Sequence, residues 1–300
     1  RVERVVPALP GGQPETAVQQ TRLLYAGEHR LTRLNLAVLD LPEANAMRAP
    51  GEAPGMMALE IAIDEMAEKL KMDPVMFRII NDTTSDPEKP GRKFSQRRFV
   101  ECMRQGAERF GWNRRHAQPG QVRDGRWLVG LGVASAFRNN LVMKSAARVR
   151  LERNGSVTVE TDMTDIGTGS YTVMTLVAAD TLGLPPEQIT AKLGDSDLPN
   201  APVEGGSWGA ASSGAAVQLA CQAVGKKLLK AAGKIAGEPL GGAKIDDVLF
   251  EDGCIVLKDT PTVRVPFGDA MRAADLTEIE EEATAAPGLR DMWKGLHKSK

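Results

Sequence analysis

Apolar residues recur at helical spacing in the first third of the chain. Met56, Leu59, Ile63, Met66 and Leu70 follow one another at intervals of three or four residues, with charged residues between them. This period places the five side chains on one face of an amphipathic helix. The pattern predicts a helix that starts near Met56, after a loop over residues 42–55, and buries the whole stripe in the core.

Cap and turn residues predict the other elements of this part of the chain. Asp73 and Pro74 form an N-cap followed by proline at the first helical position, which indicates a short helix to Ile80. Ser95 is a candidate cap for a helix that stops at Gly111. Residues 31–40 favour a strand.

The second half of the sequence indicates alternating strands and helices. Residues 147–151 and 157–161 alternate on either side of Asn154-Gly155, which predicts a hairpin with a type I′ turn. Residues 278–300 are charged and weakly patterned. The remaining predicted elements are strands over 127–135 and 189–193, helices over about 170–182 and 210–232, and a hairpin at Asp252-Gly253.

These patterns together favour an α+β fold in two subdomains. Three hundred residues are enough for two such bodies. A polar, turn-rich stretch over residues 113–125 separates the two patterns. We therefore expect one subdomain over residues 1–112 and a second over residues 113–300.

The charge balance excludes several classes of partner. Lys and Arg number 38 against 39 Asp and Glu, and aromatic residues make up only 4% of the chain. Neither a basic field nor a base-stacking platform is indicated, so we expect no nucleic-acid partner. No apolar run is long enough for a bilayer, and the first residues lack a signal-peptide core, so we expect no membrane span and no targeting signal in this chain.

Cysteine and histidine spacing gives no metal motif. The three cysteines, Cys102, Cys221 and Cys254, are far apart and include no C-x-x-C pair, so neither an iron–sulfur cluster nor a structural zinc site is indicated. The three histidines are equally scattered. We expect no metal ligands among these residues.

Two glycines interrupt an alternating strand just before a helical pattern begins. The segment runs Asp162-Met163-Thr164-Asp165-Ile166-Gly167-Thr168-Gly169-Ser170. Unpaired N–H groups at a helix N-terminus attract anions, and glycine lets a phosphate approach the main chain. Taken alone, the pair is more often a plain turn. No Lys follows it, so it is not a Walker loop.

A second glycine-rich junction opens the next predicted helix. It reads Glu204-Gly205-Gly206-Ser207-Trp208-Gly209-Ala210, followed by further small residues and the hydroxyls of Ser212 and Ser213. Two such loops in one chain suggest a large cofactor with several negative charges. Asp162, Asp165, Asp195 and Asp197 could suggest a divalent ion, but capping and turn roles are the better interpretation.

A third segment presents one arginine on a rigid loop. Two prolines and two glycines follow Arg48 in the segment from Met47 to Gly55. One interpretation is a helix-entry loop with Arg48 solvated or paired to Glu52. The other is an arginine whose fork of donors orients an oxygen-bearing ligand.

These segments carry a family resemblance. The strings MRAPGEAPG, ALEIAIDEMAEKLKMDPVMFR, TDMTDIGTGSYT and EGGSWGAASSG occur in this order between about Leu31 and Val256. In this they resemble the molybdenum-cofactor subunit of the xanthine dehydrogenase and aldehyde oxidoreductase family, and most closely its bacterial periplasmic aldehyde oxidoreductases. The resemblance implies oxidation of aldehydes to carboxylic acids with water-derived oxygen.

The resemblance also implies roles for individual residues. Arg48 would lie beside the metal's oxygen ligands and the substrate, on a loop that includes Gly51. The cofactor would be molybdopterin cytosine dinucleotide, and 2Fe-2S and FAD would belong to partner subunits. One loop would contact the pterin and its phosphate, and consists of Ile166, Gly167, Thr168, Gly169 and Ser170. The other would pass under the metal and along the pyrophosphate, and consists of Gly205, Gly206, Ser207, Trp208, Gly209 and Ala210.

Two departures from the family pattern bear on function. Pro50 stands where purine hydroxylases carry a stacking aromatic residue, which favours an aldehyde over a flat heterocycle. The family's general base, a glutamate in a Gly-x-Gly-Glu type loop, has no counterpart here, and the sequence does not begin with Met. We therefore expect a central fragment that is inactive alone, periplasmic by resemblance and otherwise cytoplasmic. An N-heterocycle hydroxylase and a catalytically silent interaction remnant stay open as alternatives.

Overall fold

The structure, a computed structural model, consists of two compact units. It describes residues 15–37, 40, 46–89, 91–94, 96–138, 141–237 and 239–287. The first unit runs to Asn139 and the second begins at Asn140. The predicted division between residues 112 and 113 concerns two cofactor-binding subdomains and stays a prediction.

The first unit is mainly helical. Its helices are α1 (Thr21–Leu24), α2 (Glu52–Lys69), α3 (Pro74–Ile80) and α4 (Phe99–Phe110), and its two-residue strands are β1 (Arg123–Asp124) and β2 (Trp127–Leu128). One 3-10 turn, Ala17–Gln20, precedes α1, and another, Trp112–Arg114, follows α4. A small core forms around Leu24, Tyr25 and Met56.

Helix α2 confirms the predicted amphipathic helix and corrects its bounds. It begins at Glu52, four positions before the predicted start, because Pro54 is tolerated in the first turn, where its missing N–H needs no partner. Met56 is buried, with Leu59 and Ile63 packed beside the core. Met66 and Leu70 are 48% and 53% exposed, so the prediction that the whole stripe is buried is wrong.

A predicted cap forms at the start of α3, and a predicted stop forms at the end of α4, whose N-cap is Arg98. The Asp73 side chain accepts N–H bonds from Val75 and Met76, which confirms the predicted N-cap of α3. Helix α4 ends at Gly111, whose φ of 77° is the left-handed cap conformation. The predicted cap at Ser95 lies outside the described residues.

Two predicted strands are wrong in the first unit. Residues 31–36 have no regular structure, and only Ala37 forms a bridge, while residues 38 and 39 lie outside the described part. The strand predicted over 127–135 is limited to Trp127–Leu128. Glycines at 130 and 132 weaken the extension of this strand.

The second unit contains a mixed four-stranded sheet and a three-stranded antiparallel sheet. The larger has the order β5 (Ile189–Leu193), β4 (Val157–Thr161), β3 (Ser145–Glu152), β9 (Glu278–Ala285), and the smaller the order β6 (Val248–Glu251), β7 (Cys254–Leu257), β8 (Thr260–Pro266). Among the described strands, only β4 and β5 pair in parallel, and α5 (Ser170–Leu182) connects them. Helices α6 (Gly209–Ala232) and α7 (Phe267–Ala273) complete the unit.

One face of the larger sheet builds the main core. Ala147, Val149 and Leu151 of β3 alternate inward and are fully buried with α5 and α6 side chains. The opposite face carries ion pairs, such as Arg150 with Glu280 at 3.0 Å. The small residues of α6 allow the close packing that its buried Ala216 and Ala220 show. Within the described residues, the helices are too short or too polar to span a bilayer.

Most predictions for this unit are confirmed, and the class is α+β as expected. Hairpins form at Asn154-Gly155 and Asp252-Gly253, and α5, β5 and α6 lie where the sequence places them. The type I′ turn is wrong, because Gly155 has positive φ and Asn154 does not. Strands β8 and β9 and helix α7 were not predicted.

Candidate functional site

The loop before α2 holds Arg48 in an uncommon backbone conformation. Arg48 has φ of 30° and Ala49 has φ of 65°, values that non-glycine residues rarely adopt. Ala53 N–H donates to the Ala49 carbonyl and closes the turn into the helix. Strain of this kind persists only where the surrounding structure holds it, and it concentrates at functional sites.

Neighbouring chain segments hold this loop in place. Gly51 N–H donates to Glu15 Oε1 over 2.9 Å. A Cβ at Gly51, whose φ is 78°, would lie 2.7 Å from Thr16 Oγ1, and one at Gly55 would overlap the Ala17 carbonyl. The need for glycine at position 51 is thus explained by packing within the chain as well as by positive φ.

Arg48 itself is exposed and has no side-chain partner among the described residues. The structure does not contain the alternative ion pair between Arg48 and Glu52. Glu52 Oε1 lies 2.9 Å from Arg138 Nη1 instead. The Arg48 guanidinium is therefore available to an external ligand.

Asp165 organises the first glycine loop. Its Oδ1 accepts N–H bonds from Gly167 at 2.8 Å and Gly169 at 3.2 Å. Burial raises the pKa of Asp165, but N–H bonds from Gly167, Gly169, Tyr171 and Thr168 outweigh it, and the pKa lies below its ordinary value. The expectation that these N–H groups are unpaired is wrong for Gly167 and Gly169.

Other predicted residues of this loop differ in accessibility. Ile166 is 65% exposed, whereas Ser170 is buried and its hydroxyl lies 3.2 Å from Thr168 Oγ1. A Cβ at Gly167 or Gly169 would meet no described atom within 4 Å, although φ is 94° and 79°. The outer surface of the loop is open to a ligand.

The second glycine loop has three consecutive residues with positive φ. Gly205, Gly206 and Ser207 have φ of 155°, 53° and 60°. The Trp208 ring lies against Gly206, where a Cβ would be 2.0 Å from it, and Trp208 Nε1 donates to the Val203 carbonyl. Gly205 has open space beside its Cα, and Ser207 is exposed.

Glu204 lies against the start of α6. A Cβ at Gly209 would lie 2.6 Å from Glu204 Oε1 and 2.8 Å from Met163 Cε, which explains the glycine at this buried position. Glu204 Oε1 is buried without a hydrogen-bond partner in the described part of the chain. Burial, then the charge of Asp165, raises the pKa of Glu204. Met163, which precedes the first loop, and Glu204 of the second loop both lie against Gly209, so the two loops are neighbours.

The hydroxyls that follow the second loop are used internally. Ser212 Oγ accepts the Met143 N–H, and Ser213 Oγ lies 3.0 Å from Ser145 Oγ; both serines are fully buried. In this structure the hydroxyls of Ser212 and Ser213 are therefore not open to a ligand. Ala210, in contrast, is exposed.

The aspartates considered for a divalent ion make local contacts. Asp195 accepts the Asp197 N–H, Asp162 accepts the Ala201 N–H, and Asp165 caps the first loop. The capping and turn role that the sequence favoured for Asp165 is confirmed, and its position two residues before Gly167 is the spacing of an Asx turn. Nothing in the sequence pattern indicated that Oε1 of Glu204 would be buried without a partner in the described part of the chain.

Comparison with known proteins agrees with the motifs. Two family models described as molybdopterin cofactor-binding domain match residues 7–82 and 105–294. The aldehyde oxidoreductase molybdenum-binding subunit PaoC of Escherichia coli K12 is 63% identical over 225 residues, which are 75% of this chain and 31% of PaoC. A xanthine dehydrogenase molybdenum-binding subunit of E. coli O157:H7 is 31% identical over 49% of this chain and 20% of its own length.

A solved structure agrees in fold. Quinoline 2-oxidoreductase from Pseudomonas putida 86 superposes with a TM-score of 0.59 at 22% identity, over 78% of this chain and 33% of that one. This chain therefore spans about a third or less of each of these proteins. The family resemblance of the motifs is confirmed, and the chain belongs to the family of molybdopterin cofactor-binding domains.

Proposed function

We propose that this chain is part of the molybdenum-binding subunit of an aldehyde oxidoreductase, which converts aldehydes to carboxylic acids with oxygen from water. The 63% identity to PaoC supports an aldehyde as substrate. So does Pro50, which offers no aromatic face to a heterocyclic substrate.

The observation that carries the proposal is the state of Arg48. Its guanidinium is exposed and unpartnered within the described residues, on a loop whose two positive φ values are held by Gly51, Glu15 and Thr16. A fixed arginine of this kind orients an oxygen-bearing ligand through paired N–H donors. In this proposal Arg48 binds the substrate carbonyl or the developing carboxylate.

The two glycine loops fit a bulky anionic cofactor in different ways. Gly167, Gly169 and Gly205 leave open space where a side chain would otherwise stand, so a ligand can approach the backbone. The Asp165 carboxylate already occupies N–H groups of the first loop. The phosphates are therefore assigned to the second loop, at Gly205, Gly206 and Ser207, and pterin contacts to Ile166, Gly167 and Thr168.

The remaining predicted residues have supporting roles in this proposal. Gly169 and Ser170 shape the start of α5, Trp208 supports Gly206, and Gly209 and Ala210 begin α6 beneath the second loop. Gly51 holds the Arg48 loop against Thr16. When bound, the cofactor would supply oxygen transfer and accept two electrons.

The finer features of the complete enzyme belong to the same proposal. The cofactor would be molybdopterin cytosine dinucleotide, and electrons would pass to 2Fe-2S and FAD on partner subunits. The enzyme would be periplasmic, exported through a partner's signal. Subunit composition of the purified complex and nucleotide released on acid treatment would test these points.

A substrate panel on the complete subunit with its partners tests the proposed reaction. Aliphatic and aromatic aldehydes should be oxidised with far higher kcat/KM than purines or quinoline. Oxidation of the heterocycles but not the aldehydes would replace this function with N-heterocycle hydroxylation. Inactivity of the cofactor-loaded complex towards both would leave only a binding role.

The Arg48→Ala variant tests the assignment of the arginine. We expect kcat/KM to fall by about 1.5–3 kcal/mol, the scale of a hydrogen bond to a charged group, with bound molybdenum unchanged. Arg104→Ala is the matched control, since Arg104 is also exposed and unpartnered within the described chain. Normal kinetics for Arg48→Ala would reduce the arginine to a loop residue.

A further inference from the structure

The extended segment over residues 135–138 contacts one face of α2 through hydrogen bonds and an ion pair. Glu60 accepts both the N–H and the hydroxyl of Ser135, at 2.7 and 3.0 Å. Met56 Sδ accepts the Phe137 N–H, and Glu52 pairs with Arg138 at 2.9 Å. Glu52, Met56 and Glu60 follow one another at intervals of four residues. Their contacts therefore lie along one face of the first three turns of α2.

Glu52 is the first residue of α2 and stands four positions after Arg48. The turn that closes between Ala49 and Ala53 brings this spacing close to that of a helical i, i+4 pair. Glu52 is therefore the carboxylate that local geometry offers to Arg48. In the structure, Glu52 pairs with Arg138 and not with Arg48.

The second oxygen of Glu52 remains available for an ion pair. Glu52 Oε2 is buried and has no hydrogen-bond partner in the described part of the chain. The Glu52 side chain is only 17% exposed, and that of Arg138 is 33% exposed. A buried acceptor without a donor attracts the nearest free guanidinium. Arg48 stands four positions before Glu52 and has no side-chain partner among the described residues, so it is a free guanidinium close to Glu52 in the chain.

We propose that Arg138 is a positioning residue that occupies Glu52 and so keeps Arg48 free for the substrate. This inference rests on the proposed function, because it presumes that Arg48 binds substrate oxygen. It adds that a competing ion pair within the chain would lower activity. Arg138 acts only through Glu52 and makes no contact with the ligand.

A double-variant cycle in the complete, cofactor-loaded subunit tests this directly. Arg138→Met should lower kcat/KM about three- to tenfold, as a partly exposed ion pair captures most of the Arg48 population. In the Glu52→Gln background the same Arg138→Met change should cost less than twofold, because no carboxylate is left to capture Arg48. If Arg138 only stabilised the fold, its loss would cost the same in both backgrounds.

Crystal structures give a readout independent of turnover. The complete wild-type subunit should contain the Glu52–Arg138 pair, and the Arg138→Met variant should contain an Arg48–Glu52 pair. If Arg138→Met does not fold, the wild-type structure still decides, because a Glu52–Arg48 pair there would overturn the inference.

Arg48→Met separates this inference from the proposed function. Normal kinetics for Arg48→Met would remove the assignment of Arg48 itself. Impaired kinetics for Arg48→Met together with normal kinetics for Arg138→Met would overturn only the role of Arg138.

Discussion

The guanidinium of Arg78 is fully buried, and its Nε lies 2.8 Å from Oε2 of Glu60. A second nitrogen of Arg78 lies 2.8 Å from Asp64. Glu60 in turn accepts the Tyr25 hydroxyl and the Ser135 N–H. Burial and then the hydrogen bond to Glu60 raise the pKa of Tyr25, so it remains a neutral donor. This network joins α2 and α3 and fixes the helix that follows the Arg48 loop.

Breaking this pair should unfold the first unit readily. Arg78→Met leaves Glu60 buried without its counter-charge and should lower the free energy of unfolding by about 3–5 kcal/mol. Urea titration followed by circular dichroism measures this loss. The control is Arg98→Ala, since Arg98 pairs with Glu101 at the surface and should contribute about 0.5 kcal/mol or less. A loss below about 1 kcal/mol for Arg78→Met would mean that the network adds little stability.

Local signals predicted the elements whose ends depend on nearby residues. The Asp73 cap, the Gly111 stop and the Asn154-Gly155 hairpin are each determined within a few positions. Strand β9 was missed because its sequence, Glu278–Ala285, is rich in Glu and Ala, which have low strand propensity. It is a strand because all eight residues pair with β3, more than 120 positions earlier in the chain.

The site was predictable in outline but not in its internal contacts. Glycine clusters marked both loops, and proline with glycine marked the Arg48 loop. The sequence did not show that Gly51 packs against Thr16 or that Gly206 packs against Trp208. Nor did it show that Arg138, 86 positions after Glu52, pairs with that carboxylate. Such contacts arise from tertiary packing, and neither the periodicity nor the spacing of residues in the sequence predicts them.

Asp165→Asn should weaken the start of α5 in a pH-dependent way. The pKa of Asp165 is lowered in the folded state, so its stabilising effect is present above the ordinary Asp pKa of about 3.9 and lost as pH falls further. The Tm difference from wild type should therefore be largest near pH 7 and shrink below about pH 4. Asp180→Asn, an exposed position on α5, is the control. A difference that does not change with pH would show that the charge of Asp165 is irrelevant.

Glu204→Gln should have the opposite pH dependence. The pKa of Glu204 is raised by burial and by Asp165, so proton binding favours the fold at acid pH, and this advantage is lost as pH rises through the raised pKa. A neutral Gln avoids that loss, and the variant should melt about 1–3 °C above wild type at pH 8 but equally at pH 4. Glu187→Gln, at an exposed position, should show no such trend. A lower Tm at pH 8 would indicate that the Glu204 charge stabilises the fold.

Cofactor retention distinguishes a ligand-binding loop from a strained turn, provided that backbone strain is controlled. Gly167→Ala and Gly205→Ala place a methyl group in open space, at φ of 94° and 155°. Gly237→Ala does the same at φ of 88°, outside both loops, and so carries a comparable strain without a proposed ligand. Gly206→Ala is unsuitable, because its Cβ would overlap the Trp208 ring whether or not a cofactor is bound.

In the complete subunit, Gly205→Ala should weaken cofactor retention by about tenfold, the loss expected when one charge-assisted phosphate contact is displaced. Gly167→Ala should also lower retention, because its methyl group would stand where the pterin is proposed to contact the loop. Molybdenum and released nucleotide per folded subunit, measured after dialysis, report this loss. Gly237→Ala should retain the wild-type amount while its Tm falls to a similar extent. Equal loss in all three variants would attribute the effect to backbone strain. Full retention at 167 and 205 would show that both loops are ordinary turns, since a methyl group there would then meet no ligand.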